Sequence, residues 1–133
     1  MKKIAIIFCA TLLLSACGAF KSKQPNYLAE LTGVYHGYVV SGVSGIPVKT
    51  EFFTDKQGRR IGKYEITEAG GVIMPGTLDN FVQEGPYTLL VSWHDKYGNG
   101  YLRMLFTEGN RGFNGFWGLS KDGTLMRWDG WKK

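Results

Sequence analysis

The sequence predicts an all-β domain, an eight-stranded antiparallel up-and-down barrel, and three observations predict it. From Leu31 onward, runs rich in β-branched and aromatic residues recur at the spacing of about 8 to 12 residues that marks all-β barrels and sandwiches. The links between runs are short and carry Gly, Asn or Asp, which favours hairpins between sequence neighbours. No segment sustains a helical period. A meander of this kind leaves two open edges unless its first and last strands pair. Closure removes both edges, which places the barrel ahead of a two-sheet sandwich.

The strands are expected in order at about 32–40, 46–54, 59–67, 71–79, 86–94, 100–108, 112–119 and 124–131. Alternation assigns Val34 to the inward face of the first strand, Val48 and Phe52 to that of the second, and Tyr64 and Ile66 to that of the third. Met74 and Leu78 represent the fourth. In PYTLLVSWHD the set Tyr87, Leu89, Val91 and Trp93 opposes Thr88, Leu90, Ser92 and His94, and the first set reads as the core face. Leu102, Met104 and Phe106 follow on the sixth strand and leave Arg103 outside. Phe113, Trp117 and Leu119, with Gly115 between them, continue the pattern, and Met126 and Trp128 complete it. The turns at Asp55–Gly58, Tyr97–Gly100, Glu108–Gly112 and Lys121–Gly123 place Gly, Asn or Asp where a positive φ is expected. A barrel of eight strands is just wide enough to be filled by side chains or to hold one small ligand. The number of large inward aromatics predicts a mostly filled interior.

Ahead of the strands, Met1-Lys2-Lys3 is a short positive head, and Ile4 to Leu14 is an apolar run of about 11 residues, the layout of a secretory signal. It is too short to span a bilayer, which needs about 20 apolar residues. Leu14-Ser15-Ala16-Cys17 resembles the lipobox of bacterial lipoproteins. That resemblance implies a diacylglycerol thioether on Cys17, cleavage before it, and acylation of the new N-terminus. Residues 1–16 are therefore expected to be a signal peptide, 17–30 the lipidated cysteine and a tether, and 31–133 the barrel domain. GAFKSKQPNYLAE has the composition of a flexible linker, with a span on the order of 20 Å. Two or three acyl chains make a stable anchor where one is marginal. Gly18, in place of the Asp that retains such proteins at the inner membrane, implies the periplasmic face of the outer membrane.

Composition removes several functions. Without Lys2 and Lys3 the chain keeps 14 of its 16 basic residues against 11 acidic ones. Part of that small excess lies in the tether and at Lys132-Lys133, so nucleic acid is not an expected partner, and a weak pull toward anionic headgroups is the most it supports. Once Cys9 is cleaved away and Cys17 acylated, no thiol is left for a disulfide, a nucleophile or a metal. His36 and His94 are the only histidines, and the scattered carboxylates lack metal-site clustering. None of Ser41, Ser44, Ser92 and Ser120 sits in a nucleophile turn, and His94-Asp95 reads as a solvated or capping pair rather than part of a triad. Arg59, Arg60 and Lys63 read as a solvated basic edge. No catalysis and no cofactor are expected.

The densest aromatic stretch, GFNGFWGLSKDGTLMRWDGWKK, interleaves Phe113, Phe116, Trp117, Trp128 and Trp131 with glycines. Such a pattern either packs a tightly curved sheet or lets tryptophans stack on an apolar or sugar-like ligand where backbone approaches closely. A disulfide-free domain of this size needs large core side chains, which favours the first use. With Gly33-Val34-Tyr35 opening the first strand, this region resembles the calycin-type barrels, the lipocalins and avidin-like proteins. Tyr35 stands where lipocalins carry Trp, and no helix follows the last strand. The resemblance implies a non-catalytic binder of a small ligand; from the residues themselves, Trp93, Trp117 and Trp128 are the candidate ligand-binding residues. An inhibitor or immunity role, with loops such as Tyr97–Gly100 docking on an envelope protein, is the alternative.

Overall fold

The computed structural model describes residues 31–133, and Cys17 with the expected signal and tether lies outside them. Eight strands form: β1 (Gly33–Ser41), β2 (Ser44–Thr54), β3 (Arg60–Thr67), β4 (Ile73–Gln83), β5 (Thr88–Asp95), β6 (Gly98–Phe106), β7 (Gly112–Gly118) and β8 (Met126–Trp131). Each pairs antiparallel with the next, and β8 returns to β1 to close the barrel. The only helical segments among the described residues are three-residue 3-10 turns at Ala69–Gly71, Glu108–Asn110 and Lys121–Gly123.

Closure depends on close backbone approach. His36 pairs with Trp131 and Val39 with Trp128 in one unbroken register across the seam. Between them a Cβ on Gly37 would lie 1.9 Å from the Asp129 carbonyl oxygen, a backbone atom that cannot yield. Glycine at this position is what lets β1 and β8 meet.

One half of the interior is packed solid. Tyr35, Phe52, Phe106 and Phe113 are buried, with ring centroids 5.4 to 6.4 Å apart. Most of these contacts are edge to face, the arrangement that sets the positive ring edge against the negative face, and each such pair adds about 0.5–1.5 kcal/mol beyond its buried area. The Tyr35 hydroxyl donates to the Asn110 carbonyl at 2.6 Å, so the ring's polar end is satisfied. Burial pushes that phenol up to about 12.

Phe81 joins this plug through a bulge. Asp79 pairs with Ser92 but Val82 with Leu90, so β4 holds one residue more than β5 between these positions, and Asn80 takes φ 51°. Asparagine tolerates that left-handed conformation. The extra residue resets the alternation. Phe81 then packs on the core with its ring 6.1 Å from Phe52. Alternation alone ends this strand at about residue 79; the bulge carries it to Gln83.

Four inward assignments change. In β1 the buried face is Tyr35 and Val39 rather than Val34, because apolar residues occupy both faces of VYHGYVV and Gly37 hides the period. Tyr87 lies exposed just before β5 begins, and Leu119 lies exposed just after β7 ends. Thr50, a polar residue omitted from the expected core, is fully buried. Among the turns, Gly58, Gly98, Gly109 and Asn110 do take positive φ, whereas Gly123 does not.

Candidate functional site

The opposite half of the barrel is hollow. A cavity of about 290 Å³ opens at the end where the β1–β2, β3–β4, β5–β6 and β7–β8 links lie. The expectation of a mostly filled interior therefore holds for one end only. Trp93 on β5, Trp117 on β7 and Trp128 on β8 all line the cavity, although they are far apart in sequence. Val39, Ile46, Ile66 and Met74 supply its aliphatic wall. These positions continue the inward faces of β1 to β4 past the aromatic plug.

Each indole is held by a hydrogen bond to the barrel itself. Trp93 Nε1 donates to the Gly118 carbonyl at 3.3 Å and Trp117 Nε1 to the Val40 carbonyl at 2.9 Å. Trp128 Nε1 donates to the Thr50 hydroxyl at 3.1 Å, which explains the buried threonine. Trp93 and Trp117 meet edge to face at 5.6 Å, and Trp128 meets Tyr64 in the same manner at 4.8 Å. The walls are thus fixed before any ligand arrives.

Polar groups gather at the rim. Asp95, next in alternation after Trp93, accepts the Tyr64 hydroxyl at 2.7 Å and the Tyr97 amide at 2.8 Å. Burial, and then the Asp95 carboxylate, push the Tyr64 phenol far above its usual range. Glu68, next in alternation after Ile66, accepts the Tyr97 hydroxyl at 2.6 Å and the Lys96 ammonium at 3.2 Å. The Tyr97 hydroxyl and then Lys96 hold the Glu68 carboxyl below its ordinary value. These contacts tie the β3–β4 link to the β5–β6 turn across the mouth. Beyond them Val43, Val72, Tyr97, Leu119 and Leu125 stand exposed, so every link at this end carries a bare hydrophobic side chain.

The three tryptophans named from the sequence are brought together; Glu68, Asp95, Ser41 and the aliphatic lining were not anticipated as part of a site. The two acidic residues were within reach of a two-residue step from Ile66 and Trp93. His36 and His94 are not brought together. They sit on β1 and β5, opposite each other in the strand order, and His94 Nε2 contacts Asp79 at 2.8 Å on the surface. Arg59 pairs with Asp55 and Lys63 with Glu51, which divides the basic edge into separate ion pairs. Among the described residues no three His, Cys, Asp or Glu side chains group as metal ligands. A second depression, near His36, Lys49, Glu65 and Lys133, lies on the outer wall and holds none of the tryptophans.

Compared with protein-family models, curated proteins and solved structures, the chain returns no match.

Proposed function

We propose that this chain is a lipid-anchored envelope protein whose barrel binds a small apolar molecule or glycan in its open end, without catalysing a reaction on it. The observation that carries the reading is the cavity of about 290 Å³ walled by Trp93, Trp117 and Trp128. Concave, mostly apolar sites with a few placed polar groups are the general form of small-ligand sites, and this volume lies at the lower end of their range. The geometry is also compatible with the anchor. The chain enters β1 at the plugged end, opposite the mouth.

Titration of the full chain with apolar compounds and short glycans tests this reading through tryptophan emission. A saturable spectral shift, lost in Trp117→Ala, is expected; emission unchanged across the panel would count against it. Mass spectrometry of the mature N-terminus should find Cys17 acylated, and an unmodified, uncleaved chain would remove the anchor. The exposed apolar rim favours a second reading, docking of an envelope protein on the mouth. Purification from membranes without any stoichiometric partner would speak against that alternative.

A further inference from the structure

The hydrogen-bonding capacity of the cavity wall is strongly one-sided. An anionic ligand needs N–H or O–H donors, or a cation. The side-chain donors of the wall are committed within the barrel: the three indole N–H groups to Gly118, Val40 and Thr50, the Tyr64 hydroxyl to Asp95, and the Tyr97 hydroxyl to Glu68; Lys96, outside the lining, gives one of its N–H groups to Glu68. The Ser41 hydroxyl is the one exception among the lining side chains. No Lys, Arg or His lines the cavity, whereas Glu68 and Asp95 both do.

The two acids are not equivalent. Glu68 is matched by the Lys96 ammonium. Asp95 takes hydrogen bonds from a phenol and a backbone amide, both neutral, and no ion pair among the described residues involves it. An ionised carboxylate has about four lone-pair sites, so Asp95 keeps capacity for further positive charge. Trp93, Trp117 and Trp128 line the same cavity, and their ring faces are negative and attract cations, while the Tyr97 ring already carries the Lys96 ammonium 4.9 Å from its centroid.

We propose that the open-end cavity selects a small organic cation, an ammonium group carried on an apolar body, and discriminates against carboxylate-bearing molecules of the same size. This rests on the binding reading above and adds the charge of the ligand to it. The apolar body lies against the aliphatic wall, and the ammonium sits at the rim between Asp95 and the aromatic rings.

Three probes with a common hexyl chain test the inference: hexyltrimethylammonium, 1-hexanol and hexanoate, each titrated into the full chain at neutral pH with tryptophan emission as the readout. The ammonium is expected to bind at least about tenfold more tightly than hexanoate, with hexanol between them. Asp95→Asn should bring the ammonium-to-hexanol ratio close to one while hexanol still binds. Rising salt should weaken the ammonium and leave hexanol unchanged, a measurement on the unmodified protein that does not depend on the variant folding. Hexanoate binding as tightly as the ammonium, or an ammonium affinity indifferent to salt, overturns the proposal while the cavity remains a binding site. Failure of all three probes to bind overturns the proposal together with the apolar-ligand form of the binding reading.

Discussion

At one end of this barrel Tyr35, Phe52, Phe81, Phe106 and Phe113 pack edge to face, and the β2–β3 and β6–β7 links beyond them are polar. At the other end, tryptophans spaced around the same strands leave a cavity, and every link beyond it exposes a hydrophobic side chain. Aromatic content does not separate the two ends; what the rings contact does. In the plug, phenylalanines have no polar atom to satisfy and can close on one another. At the mouth, each indole N–H is bonded to an acceptor on the barrel wall, Gly118, Val40 or Thr50, and the rings meet only in two separate pairs, Trp93 with Trp117 and Trp128 with Tyr64. The two ends therefore divide the work, one contributing stability and the other a shaped surface.

The largest expected effect tests that division. Phe113→Ala removes a ring in contact with Tyr35, Phe52 and Phe106, and should cost about 3–5 kcal/mol in urea unfolding. Trp117 is only half-buried, and Trp117→Ala should cost about 1–2 kcal/mol while abolishing the emission shift of a bound ligand. Equal losses for the two variants would erase the distinction between plug and mouth.

Alkali probes the interior next. The Tyr35 phenol is raised from 10.0 to about 12, and Tyr64 is raised further. An unfolded chain releases these protons near pH 10, while the folded one keeps them. The stability contributed by the neutral phenols is complete below the unfolded value and declines as pH rises above it, by about 1.4 kcal/mol per pH unit for each phenol. Urea midpoints at pH 9, 10 and 11 should fall accordingly, and less steeply in Tyr35→Phe. A midpoint that stays flat to pH 11 would mean that the phenols are not held inside.

Much of the barrel was legible because alternation is strongest where a strand is buried on one face only. Leu89, Val91, Trp93 and Leu102, Met104, Phe106 all point inward as read, although Leu90, assigned to the opposite face of β5, is buried as well. β1 misled because glycine contributes no side chain to the count: with Gly37 at an inward position, Val34 and Val40 on the outer face carry as much apolar signal as Tyr35 and Val39. The bulge at Asn80 was hidden for a related reason, since one inserted residue reverses the parity of all that follow and makes Phe81 read as outward. As for the site, the tryptophans could be named from the sequence because large rings are few. Their convergence on one end could not, since it depends on strand stagger around the closed barrel. Glu68 and Asp95 read as loop acids until the inward faces of β3 and β5 are extended by one more step.

The smallest expected effect is confined to the mouth. Glu68 receives the Tyr97 hydroxyl and the Lys96 ammonium, and these two contacts join the β3–β4 link to the β5–β6 turn. They hold its carboxyl below the ordinary 4.5, so the contribution of the charged form is complete above that value and is lost as pH falls through the lower folded one. The group is only partly buried, at the rim, and solvent screening there keeps the global consequence slight. The Tyr97 ring resonances should therefore move with a midpoint below pH 4.5 while those of Phe113 stay fixed. In Glu68→Gln the Tyr97 titration should disappear with the unfolding midpoint unchanged, because Gln still offers an acceptor to the phenol but no charge to Lys96. Movement of Phe113 in step with Tyr97 would mean that the two ends respond as one body, and the division between plug and mouth would fail at the scale of a single proton.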